Sequence, residues 1–261
     1  MTRALLFDCD GVLADTERDG HLVAFNRMWQ ERGVNWQWSV EQYAIKLKIG
    51  GGKERIASLA RDEDFRAAYP VPPEDEWLAT VADWHKRKSD IFKELVMSGA
   101  MPARPGVRRL AQEAHDQGWV LAVCSTSAAP SVQAVLDSVM GKELSSKFSG
   151  VFAGDIVKAK KPAPDIYNHA ADALGLLHSH CVVIEDSRNG LLAATAAGMQ
   201  CVVTTNALTE REDFAEAALV VDSLGDPGRP ARVVANRSAA KPAGMVTVTD
   251  LDAVVAAAQH G

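Results

Sequence analysis

The chain has 261 residues, enough to bury a sizeable core as one large domain or as two unequal ones. Its formal charge of −6, from 28 basic and 34 acidic residues, argues against general affinity for nucleic acid or an anionic membrane. An anionic ligand must therefore meet a local cluster of donors.

No apolar stretch approaches the about 20 residues that span a bilayer. The N-terminus enters an apolar strand at once, without the character of a signal or transit peptide. Cys9, Cys124, Cys181 and Cys201 lie in or beside short apolar runs, which suits reduced, buried thiols, and no CxxC or HxxxH spacing suggests zinc. A cytoplasmic, monomeric enzyme with neither nucleic-acid nor membrane partners is expected.

Four apolar runs predict strands: Ala4–Phe7, Val120–Cys124, Cys181–Ile184 and Cys201–Val203. Each is followed by polar residues and then by a helical pattern, as in α/β folds whose parallel strands are covered on both faces. Such sheets bind ligands at the carboxyl ends of their strands. Here those ends read Asp8/Asp10, Ser125/Thr126/Ser127, Glu185/Asp186 and Thr204/Thr205.

Between the first and second runs, about residues 15–98, no comparable strand occurs. Helices are predicted over Thr16–Arg32, with Leu22, Phe25 and Trp29 on one face and a stop at Gly33, then over Ser39–Lys48 and Gly52–Arg61. A longer one follows Val71-Pro72-Pro73, over Glu74–Met97. This predicts a helical cap domain, 15–98, inserted after the first strand of a core domain made of 1–14 and 99–261. The segment Met101–Gly106 would be the second hinge. The polar Gly225–Gly244 stretch suggests a surface loop, and a closing helix is expected near Asp250–Gln259 with Thr249 as N-cap.

Asp8 and Asp10 bracket Cys9 directly after the first run and before Gly11. Two carboxylates so close repel unless a cation or a shared proton relieves them. Taken alone, the pattern equally describes a solvated Asp-Gly turn. Ser125, Thr126 and Ser127 lead into a helix near Pro130, which makes an anion-binding corner or, by itself, a simple helix cap. In Lys160-Lys161-Pro162-Ala163-Pro164-Asp165 the prolines stiffen a turn ahead of a helix at Ile166–Leu174. Lys161 can then reach inward as a fixed positive charge, with Lys158 and Lys160 expected in solvent. The adjacent acids Glu185 and Asp186 face opposite ways, so one should bind metal and the other orient a basic partner. With Asp8 they offer the hard oxygen donors that Mg2+ prefers.

In this order of motifs the chain resembles the haloacid dehalogenase-like phosphatase superfamily over almost its whole length. The resemblance implies a Rossmann-like parallel core with a helical cap, and a magnesium-dependent phosphoric monoester hydrolase. It assigns Asp8 as the nucleophile that forms an aspartyl-phosphate and Asp10 as general acid and then base. Ser125, with Thr126 beside it, and Lys161 go to phosphate. Mg2+ goes to Asp8, the backbone carbonyl of Asp10 and Asp186, with Glu185 in the metal shell or orienting Lys161.

Within the predicted cap, Ile49–Arg55 is a glycine loop entering a helix. Amides at Gly51 and Gly52 with Lys53 and Arg55 would make a second phosphate site, or else the loop is a hinge. Glu54 after Lys53 excludes a Walker A loop. Glu17 and His21, four apart, share a helical face and suit sugar hydroxyls or proton transfer, although a satisfied core histidine describes His21 as well. The segment Asp8–Glu17, His21, Lys48–Ile56 and Lys160–Tyr167 are similar to the CbbY-like branch, whose members remove xylulose-1,5-bisphosphate, an inhibitor of Rubisco. That resemblance implies a small sugar bisphosphate substrate, xylulose-1,5-bisphosphate first. A sugar-phosphate mutase of the β-phosphoglucomutase type, or a phosphatase for another small phosphate such as phosphoglycolate, is the alternative. Asp10 and the large cap speak against a receiver-like signalling module, and the acid and the metal against haloalkanoate dehalogenation.

Overall fold

Seven strands form one sheet in the computed structural model, which describes residues 2–99 and 101–258. The chain divides into two units, Met1–Asp15 with Pro102–Gly261, and Thr16–Met101. The larger unit opens on β1 (Ala4–Phe7), every residue of which is buried.

The Thr16–Met101 unit is helical. A wide π-helical turn, Glu17–Leu22, runs into α1 (Val23–Glu31), so the helix expected from Thr16 does not begin with regular α geometry. Gly20 sits in that turn, where an added Cβ would fall 2.6 Å from Met101 and 2.8 Å from Phe92. Then come α2 (Val40–Lys46), α3 (Gly52–Ala57), α4 (Glu63–Ala68) and α5 (Glu74–Met97). Ser39 and Gln42 form a capping box at the start of α2, and Asp62 caps α4 by accepting from the Phe65 amide. α4 escapes sequence prediction because its six residues are too few to show a periodicity. The aromatic interior includes Trp29 edge-on to Trp38 at 4.7 Å and Trp77 edge-on to Trp84 at 5.8 Å. Such pairs contribute about 0.5–1.5 kcal/mol each beyond their area.

The larger unit resumes with α6 (Val107–Asp116), β2 (Val120–Ser125), α7 (Ala129–Ser145), β3 (Gly150–Ala153) and α8 (Asp165–Leu174). It continues with β4 (Cys181–Glu185), α9 (Arg188–Ala196), β5 (Gln200–Thr204), β6 (Leu219–Val221), β7 (Val233–Asn236) and α10 (Val248–Ala258). The strand order is β3-β2-β1-β4-β5-β6-β7, parallel except for the last pair. On one face, Leu6, Cys124, Val183 and Val203 pack with Tyr167 and Ala170 of α8 and with Leu191 and Ala194 of α9. The result is a Rossmann-like, mostly parallel sheet with helices around it.

Three strands go beyond the four expected from the sequence. β3 and β6 are only four and three residues long. β7 lies inside the Gly/Pro-rich segment expected to be a surface loop, and its short Val233-Val234-Ala235 run forms the largely exposed edge of the sheet. α10 is capped by Thr247 rather than Thr249: the Thr247 hydroxyl accepts from the Asp250 amide at 3.3 Å while Asp250 accepts from the Thr247 amide at 2.9 Å. Gln259, the expected end of that helix, lies outside the described residues. Cys9, Cys124, Cys181 and Cys201 are buried thiols outside any disulfide. Among the described residues no helix is long and apolar enough to cross a membrane.

Candidate active site

Strand register assembles the site. Phe7 of β1 stands opposite Val123 of β2 on one side and Ile184 of β4 on the other. The residues just beyond therefore share one end of the sheet: Asp8, Cys124 and Glu185, with Ser125 and Asp186 next. The Asp8 amide still donates to the Ile184 carbonyl at 2.9 Å, so its side chain leaves from the last ladder bond.

Lys161 lies at the centre of these groups. Its Nζ donates to Asp8 Oδ1 at 2.6 Å, to Glu185 Oε1 at 2.6 Å and to the Cys124 carbonyl at 2.9 Å. It also lies 4.9 Å from the Tyr167 ring centroid. Burial works against the ammonium, but Asp8 and Glu185 outweigh it and hold Lys161 above the ordinary lysine value. Lys161 is thus a permanent cation. Its neighbour Lys160, expected in solvent, instead donates to the Gly154 carbonyl at 2.5 Å and to Asp155 at 2.7 Å. Lys158 is exposed.

Glu185 has both oxygens engaged. Oε1 accepts from Lys161 and from the Tyr167 hydroxyl at 2.6 Å, and Oε2 accepts from the Asp186 amide at 3.1 Å. The hydroxyl stays a donor, because burial and the Glu185 carboxylate push the Tyr167 phenol well above its usual value. Asp186 Oδ2 accepts from Asn206 Nδ2 at 2.7 Å and lies against Gly11, where a Cβ would meet it at 2.0 Å. Asp10 Oδ2 accepts from the Ser127 hydroxyl at 2.5 Å, and the Ser127 amide donates to Ser125 Oγ at 3.1 Å. Thr126 is half-buried between them.

Ligand atoms of Asp8, Glu185 and Asp186 lie within 4.8 Å of one another. Burial, together with the neighbouring acids Glu185 and Asp10, pushes Asp8 well above the usual carboxylate range, against the pull of Lys161. One lysine does not balance this many acids, and a set of hard oxygens short of positive charge suits Mg2+. With Glu185 committed to Lys161 and Tyr167, Asp8 and Asp186 are the side chains that fit the ion.

In the helical unit, the Tyr43 hydroxyl donates to Glu17 Oε2 at 2.5 Å, and Arg55 Nη1 stands 3.8 Å from the same oxygen. Arg55 also donates to Tyr43 Oη at 3.0 Å and to the Ile49 carbonyl at 2.9 Å. His21 Nδ1 pairs with Lys88 Nζ at 2.6 Å and its ring stacks on Phe92 at 3.9 Å. A Cβ on Gly51 would fall 2.0 Å from Glu54 Oε2, so the chain's own carboxylate folds over the loop expected to bind phosphate. Gly52, with Lys53 after it, packs against His85.

The sequence placed Ser127 in the anion-binding corner without its bond to Asp10, and gave Asn206, Tyr167 and Lys88 no site role. Ser127 and Asn206 follow strand ends already marked by hydroxyl residues, which is the one signal available for them. Tyr167 and Lys88 look like ordinary helix positions until packing shows their partners.

A family model described as haloacid dehalogenase-like hydrolase matches residues 2–198. A CBBY-like protein of Arabidopsis thaliana is 47% identical over 224 residues, covering 86% of this chain and 70% of that protein. Among solved structures, a point mutant of CbbY of Rhodobacter sphaeroides in complex with xylulose-1,5-bisphosphate superposes with a TM-score of 0.78 at 39% identity, covering 85% of this chain and 95% of that one. A β-phosphoglucomutase of Clostridium difficile gives a TM-score of 0.66 at 26% identity, covering 85% and 92%.

Proposed function

The chain belongs to the haloacid dehalogenase-like hydrolases, in their CbbY-like branch, and is a phosphatase; from that premise we propose that it hydrolyses a small sugar bisphosphate through an aspartyl-phosphate on Asp8. The observation that carries this reading is the strand-end assembly of Asp8, Lys161, Glu185 and Asp186.

In the first displacement an Asp8 carboxylate oxygen attacks phosphorus, a bond to that oxygen forms and the bond to the sugar oxygen breaks. Asp10 gives its proton to the leaving sugar oxygen. In the second, water attacks phosphorus, Asp10 takes the water proton, and the Asp8–phosphorus bond breaks to free the carboxylate and inorganic phosphate. Lys161 and the Ser125–Thr126 corner face the phosphoryl oxygens, while Glu185 and Tyr167 hold Lys161 in place. Ser127 orients Asp10. Asp8, the Asp10 carbonyl and Asp186 would hold Mg2+, with Asn206 orienting Asp186; when bound, the ion neutralises charge on the transferring group.

The Thr16–Met101 unit is the cap that selects the substrate: Glu17 and His21 address sugar hydroxyls, and Lys53 with the Gly51 and Gly52 amides addresses the second phosphate. Arg55 contributes by fixing Glu17 and Tyr43. Support for xylulose-1,5-bisphosphate comes from the relative that binds it. The test is phosphate release from a panel of mono- and bisphosphates, with and without Mg2+. Bisphosphates should be preferred, Mg2+ should be required, and a K53A/R55A variant should lose the preference. Interconversion of hexose 1- and 6-phosphates in place of phosphate release would favour the mutase and defeat this reading.

A further inference from the structure

We propose that Arg104 is a positioning residue for the acid Asp10, a role that rests on the reading of Asp10 given above. Arg104 enters the turn after β1 by its own backbone. Its amide donates to the Leu13 carbonyl at 3.0 Å, and Ala103 bridges Ala14 in antiparallel fashion. Its side chain, 6% exposed, then spends its fork on carbonyls from three parts of the sheet end. Nη1 donates to Gly11 O at 2.5 Å, and Nη2 donates to Thr205 O at 2.7 Å and to Asp222 O at 2.8 Å. Asp15, largely exposed, is 3.5 Å from Nη1.

These contacts tie the Asp10–Gly11 turn to the ends of β5 and β6. Gly11 has a φ of 79° and no room for a Cβ beside Asp186 and Asn206, so its peptide is held on one side by packing. The guanidinium holds it on the other, through the Gly11 carbonyl. Asp10 precedes Gly11 directly, and rotation of that turn would move the Asp10 carboxyl away from Ser127 and from the oxygen it protonates. A lysine has the charge but a single nitrogen, and cannot reach three carbonyls in a fixed plane. Arg104 donates to the Gly11, Thr205 and Asp222 carbonyls, so it acts on Asp10 through the backbone.

Leaving groups provide the test. Expulsion of a sugar alkoxide needs the acid, whereas p-nitrophenolate leaves without protonation, and kcat/KM covers only the first displacement. R104K and R104M should each lower kcat/KM for a sugar bisphosphate by about 100-fold, through kcat rather than KM, and for p-nitrophenyl phosphate by less than about 5-fold. Parallel losses on both substrates, or an R104K enzyme that matches wild type, would overturn the proposal. Thermal melts accompany the assays, and R104K carries the comparison should R104M fail to fold. The control is D10N. If D10N itself loses both substrates equally, the assignment of Asp10 fails; if D10N is selective and the Arg104 variants are not, only the role of Arg104 fails.

Discussion

Replacing Gly190 with alanine puts two physical effects in opposition. Gly190 is the third residue of α9, and alanine in a helix is favoured over glycine by about 1 kcal/mol. Propensity alone therefore predicts a more stable protein. The added Cβ, however, would lie 1.8 Å from Glu185 Cδ and 2.0 Å from both carboxylate oxygens. Ordinary contact begins at 3.4 Å, so the carboxyl group must retreat by about 1.5 Å. A glutamate is flexible, but this one is held by Lys161, by Tyr167 and by the Asp186 amide. Losing two of those bonds costs about 2 kcal/mol each, because the partners stay buried and the acceptor is charged. Against the helical gain, G190A should be destabilised by about 3 kcal/mol. Urea unfolding should show the midpoint falling with the slope unchanged. Phosphate release should fall with it, since Lys161 loses one of its two anchoring carboxylates. A G190A protein as stable as wild type, with unchanged kcat, would refute the packing of α9 on Glu185.

Two further expectations concern buried charge and buried thiols. K161M leaves Asp8 and Glu185 buried without their shared cation, which should cost about 3–5 kcal/mol in urea unfolding and abolish turnover; full stability with retained turnover would contradict this. Burial pushes the Cys181 thiol up to about 12, and raises Cys124 and Cys201 too. Between the ordinary thiol value and these raised ones, the unfolded chain releases protons that the folded chain keeps. Stability should therefore be full below pH 9 and decline as pH rises above it. An aromatic disulfide reagent at pH 8 should label these thiols only after unfolding; prompt labelling of the native protein would show that they are not sealed.

Much of the site is legible in the chain because parallel α/β sheets put their chemistry at strand ends, and strand ends are marked by an apolar run that stops. Asp8, Ser125, Glu185 and Asp186 were found in this way. Lys161 was found because two prolines leave its turn few conformations. The edge strand β7 was not, since its short Val233-Val234-Ala235 run lies in a polar, Gly/Pro-rich stretch and has no buried face to give an alternation. The π-helical turn at Glu17–Leu22 was also hidden: no local pattern marks it, and the close approach of Met101 and Phe92 to Gly20 comes from residues far along the chain. Arg55 shows the limit most directly. Its place after a glycine loop suggested an anion ligand, yet its guanidinium is taken up by Glu17, Tyr43 and a backbone carbonyl.

By itself, the sequence determined which residue types stand at the ends of the central strands, because local apolar runs and their stops specify where each strand ends. The family resemblance followed from the order of those motifs. Tertiary structure alone decided the division of labour among the acids. Glu185 and Asp186 are adjacent in the chain, and nothing local distinguishes them. The strand register, with Phe7 opposite both Val123 and Ile184, brings Glu185 to Lys161 and Tyr167 and leaves Asp186 beside Asn206 and Asp8. Hydrogen-bond partners from distant segments, and not the residues' own chemistry, separate the carboxylate that orients Lys161 from the one that stands beside Asp8 and Asn206.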